Sequence, residues 1–194
     1  MYGYAGKILR INLTSGEKEI LATSDYEEWG GGHGIGSALF YDIAVKEKNL
    51  DLSALSGFDP DNVVIIMTSP LSGTLVPGAS SRTEVQGIGV QTTPEWFTRG
   101  NFGGRFAAML KYAGWDGIVI EGKAEKPVWI DIRNQDVRIQ DAGGLWGKDT
   151  WETQEQIWSA VTGGAAFDTW IEMTEGDKTV RTTQRPAVLA IGQA

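Results

Sequence analysis

The sequence predicts an α+β fold made of two similar β-sheet halves with a few helices. Three observations favour it. Apolar and polar residues alternate on both sides of short turns at 6–22 and again at 127–141, which is typical of β-hairpins. Short uninterrupted apolar runs at 62–68, 117–122 and 187–192 are typical of buried strands. Only brief stretches have the apolar spacing of an amphipathic helix.

The first half of the chain is predicted to run from hairpin to helix to buried strand. Thr14, Ser15 and Gly16 supply the turn of the hairpin. Trp29 and a glycine cluster precede a helix that the apolar spacing predicts over 37–45. The apolar run at 62–68 then closes this half as a buried strand.

The second half has the same order of elements. Its hairpin turns at Asn134, and a Trp-Gly pair at Trp146 precedes a helix predicted over 150–161. A looser segment at 162–185 leads to the last apolar run at 187–192. Because the same order returns about 120 residues later, the sequence predicts an internal duplication. Its two halves lie at approximately 6–68 and 127–192.

A polar, glycine-rich stretch lies between the two halves. Residues 82–90 alternate like a half-buried strand, but Gly87 and Gly89 interrupt the pattern. A glycine inside a strand more often indicates a bulge or a close backbone approach than ordinary packing. We therefore expect something to approach this strand closely.

The same stretch ends in a second glycine pair before an apolar helical run at 106–113. Gly103 and Gly104 lie between Arg99 and Arg105. Exposed backbone N–H groups at a helix start, with arginines on either side, are typical of an anion-binding site. A strand-to-helix turn without a ligand is the alternative interpretation.

Composition excludes several classes of function for this chain. A net charge of −8 argues against a protein that binds duplex nucleic acid. The absence of cysteine excludes disulfides, iron–sulfur ligation and a cysteine nucleophile within the 194 residues. His33 is the single histidine, so a histidine-rich metal site is excluded too. The chain has no run of eighteen apolar residues and no signal-peptide profile, which predicts a soluble, cytoplasmic protein without a membrane span.

Six segments, in order along nearly the whole chain, carry a resemblance to one enzyme family. They are YGYAGKILRINLTSGE, WGGGHGIG, TSPLSGTLVPGASSR, RGNFGGRFAAMLKYAGWDGIVIEGKAEKPVWIDI, LWGKDTWET and AIGQA. Together they resemble the N-terminal domain of the aldehyde ferredoxin oxidoreductases, tungsten or molybdenum enzymes with a bis-pterin cofactor. The resemblance implies that 1–194 is one cofactor-cradling domain whose two sheet halves form a base for the pterin.

The resemblance also implies which residues meet the cofactor. Arg82 matches the arginine that pairs with a pterin phosphate, and its planar, permanently charged guanidinium suits that contact. Asn101 matches the asparagine whose carbonyl oxygens meet a magnesium ion bridging the pterin phosphates. Phe102, Gly103 and Gly104 would line the pterin, although Phe102 stands where the family often has a small residue. The resemblance assigns no catalytic residue to this chain.

The implied parent reaction converts an aldehyde and water to a carboxylate. Its electrons would pass through a [4Fe–4S] cluster, which this chain cannot ligate, to a ferredoxin-like carrier. The expected partners are the remaining domains or subunits of an oligomeric enzyme, since the family's later domains are absent from 1–194. Two alternatives stay open: the same apparatus could reduce an aromatic acyl-CoA, or the chain could be a stand-alone binding or assembly domain without turnover.

Overall fold

The computed structural model describes residues 3–192, so the two residues at each end of the predicted 1–194 domain lie outside the described residues. Within this range the chain divides between Glu125 and Lys126 into two compact units. The single-domain organisation that the resemblance implies therefore stays a prediction. The α+β class is confirmed, because both units combine small sheets with short helices.

The first unit is built on one six-stranded sheet. Its strands are β1 Lys7–Asn12, β2 Lys18–Ala22, β3 Val64–Met67, β4 Thr83–Gly89, β5 Trp96–Phe102 and β6 Gly117–Glu121. They lie in the order β2-β1-β6-β3-β4-β5. The β1–β6 pair is parallel and all other neighbours in this sheet are antiparallel. The strands β2 and β5 are therefore its two edges.

The predicted buried strands β3 and β6 lie in the middle of this sheet, where both faces are covered. Ile65 of β3 and Val119 of β6 are fully buried, as is Ile8 on the neighbouring β1. Removing such a side chain from water stabilises the fold by about 1.5–3 kcal/mol. The continuous apolar runs in the sequence thus correspond to the centre of the sheet.

The helix predicted over 37–45 is confirmed, but it begins earlier than the sequence suggests. Helix α1 spans His33–Phe40 and continues as a π-helical segment, Tyr41–Glu47. Its residues Ile35 and Leu39 are buried in the same hydrophobic core as the strands. Two glycines of the cluster, Gly34 and Gly36, lie within α1. Packing explains the glycine at 36, because a Cβ there would lie 2.3 Å from Nε2 of Gln86.

Within the first unit, the structure differs most from the sequence prediction at the β4–β5 hairpin. The sequence predicted a strand at 82–90 and a glycine-rich turn after it, and the first prediction is confirmed by β4. Residues 96–102 instead form the edge strand β5, which pairs with β4 along its whole length. The helix predicted over 106–113 is present as α2, Phe106–Tyr112.

A buried carboxylate joins the N-terminal segment to this sheet. Asp116 accepts hydrogen bonds from the backbone N–H of Ala5 at 2.9 Å and of Gly6 at 2.7 Å, and from Thr23 Oγ1 at 2.7 Å. It also forms an ion pair with Lys111. Burial alone would raise the pKa of Asp116, but the Lys111 ammonium, the Thr23 hydroxyl and the Ala5 N–H hold that pKa below its ordinary value.

The second unit contains two hairpins and one helix. Strands β7 Val128–Arg133 and β8 Asp136–Asp141 form the predicted hairpin, and helix α3 spans Thr150–Thr162. Asp149 caps α3, because its Oδ1 accepts a 2.8 Å hydrogen bond from the N–H of Glu152. The segment predicted as loose holds a further hairpin, β9 Ile171–Glu175 and β10 Lys178–Thr182.

The prediction of a buried strand at 187–192 is wrong. These residues form no strand, and Leu189 and Ile191 are exposed by 39% and 70%. An apolar run becomes a buried strand only where a neighbouring strand accepts its backbone hydrogen bonds, and no described strand pairs with this one.

The internal duplication is not confirmed. Hairpin and helix do recur in the same order, at 7–22 with α1 and at 128–141 with α3. However, the first hairpin belongs to the six-stranded sheet, whereas β7 and β8 form a two-stranded sheet of their own. The second copy also lacks the closing strand. Among residues 3–192, no helix is long and apolar enough to cross a lipid bilayer.

Candidate functional site

The structure brings Arg82 and Asn101 together at the open end of the β4–β5 hairpin. Arg82 directly precedes β4, and Asn101 is the next-to-last residue of β5, directly opposite Glu84. Nη1 of Arg82 donates a 2.7 Å hydrogen bond to Oδ1 of Asn101. Both side chains are exposed, so the pair faces solvent.

The reason for this proximity differs from the one that the sequence suggested. Nineteen residues separate Arg82 from Asn101, and a shared ligand was the expected cause of their meeting. The antiparallel register of β4 and β5 is sufficient, because it places Thr83 opposite Phe102 and Glu84 opposite Asn101. The hydrogen bond therefore does not by itself indicate a ligand, and the binding role of both residues stays a prediction.

The glycines inside β4 also have a cause within the protein. A Cβ on Gly87 would lie 2.8 Å from the carbonyl oxygen of Val63, and one on Gly89 would lie 2.3 Å from Cγ2 of Thr98. The expectation of a close approach at these glycines is confirmed. The approaching groups are neighbouring parts of the same unit, so these two glycines need no cofactor to explain them.

The turn after β5 is different, because space is open there. Gly104 has a φ of +88°, which favours glycine, and a Cβ built on Gly103 or Gly104 would meet no atom within 4 Å. Both glycines are exposed. Phe102 is half-buried, and its ring packs edge-on against Phe106 with the centroids 5.8 Å apart. The backbone at 103–104 is thus accessible, whereas the Phe102 ring is partly engaged inside the unit.

Three further charged or titratable groups lie beside the Arg82–Asn101 pair, and sequence reasoning did not connect them. Oε1 of Glu84 accepts a 2.8 Å hydrogen bond from Nη1 of Arg99 and lies 3.9 Å from Nδ1 of His33. The Glu84 side chain is only 7% exposed, whereas those of Arg99 and His33 are about half exposed. The strand alternation could have placed Glu84 and Arg99 on one face only if β5 had been predicted as a strand.

Helix α1 brings His33 to this face. Gln86, the next residue after Glu84 on the same side of β4, is buried, and its Nε2 points at the carbonyl oxygens of Gly32 and His33 at 3.3 and 3.4 Å. Its Oε1 accepts a 3.1 Å hydrogen bond from Ser37. These contacts hold the first turn of α1 against β4, which explains why His33 lies beside Glu84.

The residues present suit an anion better than a bare metal ion. Arg82 and Arg99 offer charged N–H donors, and the backbone at 103–104 is open to an approaching group. Asn101 offers an amide oxygen, the ligand type that Mg²⁺ accepts, but this oxygen already accepts a hydrogen bond from Arg82. Within residues 3–192, no three His, Asp or Glu side chains come together as a metal site. A magnesium ion here would need oxygen ligands from a phosphate as well.

Comparison with known proteins places nearly the whole chain in one family. The family model described as "Aldehyde ferredoxin oxidoreductase, N-terminal domain" matches residues 8–194. This chain is 40% identical to the tungsten-containing aldehyde ferredoxin oxidoreductase of Thermococcus kodakarensis and 38% identical to that of Pyrococcus abyssi. Each alignment spans 159 residues and covers 81% of this chain. The match covers 25% and 24% of those two proteins. The chain therefore spans about a quarter of the length of these curated relatives.

Two other relatives carry different names. The WOR-like subunit of an aliphatic sulfonate oxidoreductase from Pyrococcus furiosus is 30% identical over 199 aligned residues, covering the whole of this chain and 28% of its own length. The structure of the active-site complex BamBC of benzoyl-coenzyme A reductase, in complex with 1,5-dienoyl-CoA, contains a similar chain. That chain superposes on the present one with a TM-score of 0.73 and is 33% identical to it. The match covers 82% of the present chain and 23% of the chain in the complex. This chain therefore belongs to the aldehyde ferredoxin oxidoreductase family, in which it corresponds to the N-terminal domain.

Proposed function

We propose that this chain is the cofactor-cradling domain of a tungsten or molybdenum bis-pterin oxidoreductase. The observation that carries the proposal is the Arg82–Asn101 pair beside the open backbone of Gly103 and Gly104, in a chain matched to the family over residues 8–194. The names of the Pyrococcus abyssi and Thermococcus kodakarensis relatives state that they contain tungsten. That supports tungsten over molybdenum.

Arg82 would bind a phosphate group of the cofactor. A guanidinium has five N–H donors in a planar fork, and Asn101 takes a hydrogen bond from one nitrogen, Nη1. The remaining donors of this exposed side chain can pair with a phosphate, and the hydrogen bond to Asn101 restricts the rotation of the guanidinium. Preorganising the donor in this way reduces the entropy lost on binding.

Asn101, Gly103 and Gly104 would complete the contact. Asn101 would supply an oxygen to a magnesium ion that also binds the phosphates, since Mg²⁺ usually takes few protein ligands together with phosphate oxygens. The open space in front of the two glycines would admit the cofactor close to their backbone N–H groups. Phe102, the last residue of β5, would contribute through its position next to the turn, because its ring packs on Phe106.

When bound, the metal–pterin group would supply the two-electron chemistry, and the residues of this chain would bind and orient it. The proposed reaction oxidises an aldehyde to a carboxylate, with water as the source of the second oxygen, three protons released and two electrons passing through a [4Fe–4S] cluster to a ferredoxin-like carrier. The cluster and the chemistry of the substrate would belong to further domains or subunits. Large exposed apolar side chains, such as Phe58, Leu75 and Trp151, suit contacts with such partners.

A second candidate reaction is the reduction of an aromatic acyl-CoA by the same cofactor. The similarity to a chain of the benzoyl-coenzyme A reductase complex, at 33% identity, favours it. The two reactions run in opposite redox directions, so they are separable by assay. Aldehyde-dependent reduction of a viologen dye by the purified enzyme would support the first, and oxidation of reduced viologen by benzoyl-CoA would support the second. A stand-alone binding domain would do neither.

The binding role of Arg82 is tested by Arg82→Ala in the purified enzyme, with tungsten, molybdenum and pterin measured per chain. We expect a clear loss of cofactor, because a charge-assisted hydrogen bond is worth about 1.5–3 kcal/mol, or roughly ten- to a hundredfold in affinity. The control is Arg181→Ala, which removes an exposed arginine from β10. Full cofactor content in Arg82→Ala would show that the hairpin end is not the phosphate site.

A further inference from the structure

The group formed by His33, Glu84 and Arg99 lies on the same face of the hairpin as Arg82 and Asn101. Side chains two residues apart in a strand point to the same side, about 6–7 Å apart, so Arg99 and Asn101 are neighbours along β5. Glu84 faces them from β4, since it is the direct cross-strand partner of Asn101. The two arginines therefore belong to one continuous polar surface.

Glu84 holds Arg99 instead of presenting a negative charge to solvent. Its side chain is 7% exposed, and a buried carboxylate is stable only when it is paired and hydrogen-bonded. The 2.8 Å hydrogen bond from Arg99 Nη1 meets this need, and His33 Nδ1 lies 3.9 Å from the same oxygen. The carboxylate thus fixes the direction of the guanidinium and lies beside the imidazole.

Arg99 retains donors that can serve a ligand. The hydrogen bond to Glu84 uses one of its two terminal nitrogens, and its side chain is 55% exposed. The His33 side chain is 51% exposed at the first position of α1. In a chain of net charge −8, two exposed arginines on one face of the β4–β5 hairpin form a local cationic site.

We propose that Arg99 and His33, oriented by Glu84, form a second anion-binding position next to Arg82 and Asn101. The face would then take a ligand with two adjacent phosphate groups, one at each arginine. The inference rests on the proposed function for the nature of the ligand, a phosphate-bearing cofactor. It adds three residues that the resemblance does not assign.

The test is a titration of the 194-residue chain with pyrophosphate and, separately, with inorganic phosphate, at low salt and followed by calorimetry. Pyrophosphate should bind the wild-type chain more tightly than phosphate, because it reaches both positions. Arg99→Gln should weaken pyrophosphate binding about tenfold, the effect of losing a charge-assisted contact, and should remove most of the preference over phosphate. Arg181→Gln, with the same change of charge on β10, should leave both affinities unchanged.

Two more variants separate orientation from charge and check folding. Arg99→Lys keeps a positive charge beside the Glu84 carboxylate but lacks the planar guanidinium fork. Its pyrophosphate affinity should therefore lie between that of Arg99→Gln and that of the wild-type chain. His33→Gln should weaken binding by a smaller factor than Arg99→Gln. Equal far-UV circular dichroism and thermal midpoints would show that Arg99→Gln and Arg99→Lys are folded. Wild-type affinity in both folded variants would overturn the inference.

Arg82→Gln distinguishes this inference from the proposed function. If Arg82→Gln weakens both anions while Arg99→Gln behaves like Arg181→Gln, the second position is wrong and the proposed phosphate contact stands. If Arg99→Gln weakens pyrophosphate while Arg82→Gln has no effect, the site at Arg99 stands and the role proposed for Arg82 fails. Equal affinity of the wild-type chain for pyrophosphate and phosphate would overturn the second position.

Discussion

The hairpins β4–β5 and β7–β8 both carry ion pairs, but they form them over different distances along the chain. In β7–β8 the pairs Asp131–Arg133 and Asp136–Arg138 each join residues two positions apart on one strand. In β4–β5, Glu84 meets Arg99 from the opposite strand and His33 from helix α1. The first kind of pair follows from local sequence. The second exists only because the sheet and the helix pack together.

One carboxylate in each unit shows the same contrast. In the first unit, Asp116 accepts hydrogen bonds from residues more than ninety positions away, at Ala5, Gly6 and Thr23. In the second unit, Asp149 caps the helix that follows it directly. Removing one partner of a long-range, buried charge contact should cost more stability than removing a local, exposed one, because the other partner is left buried and uncompensated.

The largest expected effect comes from breaking the Asp116 contacts. Asp116→Ala would leave the Lys111 ammonium, whose side chain is 8% exposed, without its carboxylate. Removing one partner of a buried ion pair costs about 3–5 kcal/mol of unfolding free energy. The measurement is urea unfolding, together with hydrogen–deuterium exchange of β1 and β6. The local counterpart is Asp149→Ala, which removes the exposed cap of α3 and should cost only about 1 kcal/mol. Equal losses in both variants would refute the contrast.

A smaller effect is expected from filling the close contact at the start of α1. A Cβ on Gly34 would lie 2.1 Å from the carbonyl oxygen of Trp29, so Gly34→Ala forces backbone to move. Overpacking of this kind typically costs about 1–3 kcal/mol. The control is Gly144→Ala in the second unit, where a Cβ would meet nothing within 4 Å. We expect faster hydrogen exchange in α1 for Gly34→Ala alone, and unchanged exchange there would contradict the packing argument.

The smallest change is expected in the free energy of unfolding when the pH is lowered by one unit. The pKa of Glu121 is held below its ordinary value: burial would raise it, but the Arg10 guanidinium and the Lys48 ammonium outweigh that effect. The pKa of Asp116 is lowered in the same sense. A carboxyl with a depressed folded-state pKa adds stability that is fully present above its unfolded pKa and is lost as pH falls through the folded one.

The first unit should therefore lose stability as pH falls below about 4.5, by at most about 1.4 kcal/mol per pH unit for each proton bound. Urea unfolding measured from pH 7 down to pH 3 would show this slope. Asp116→Asn, which cannot take up that proton, should have a shallower slope than the wild-type chain. The same slope in both would show that Asp116 does not contribute to acid unfolding.

Elements whose signal lies in their own residues were predictable. The hairpins at 7–22 and 128–141 have alternating strands and turn residues, and the central strands β3 and β6 have uninterrupted apolar runs. The misses have one cause. The strand β5 mixes aromatic residues with polar ones and a glycine, and it is ordered by pairing with β4. The apolar run at 187–192 has no described strand to pair with. Pairing, and not composition, decides both cases.

The candidate site, too, has features that the sequence predicted and features that required the structure. Arg82, Asn101, Gly103 and Gly104 could be named from the sequence because the family resemblance marks them at matching positions. The position of Arg82 beside Asn101 required the register of the hairpin, which the sequence reasoning lacked. A wrong interpretation of β5 as a turn concealed the fact that its side chains alternate between two faces.

The amino-acid sequence by itself determined the α+β class, the central strands, the family and the residues expected to meet a phosphate. Each of these depends on side-chain type and order along the chain. Only the tertiary structure decided that Glu84, Arg99 and His33 come together, since they lie on two strands and a helix. It also decided that Gly36 lies within a helix, because Gln86 occupies the space where a side chain would be. Such contacts depend on which surfaces pack together, and that choice minimises the free energy of the whole unit instead of any one segment.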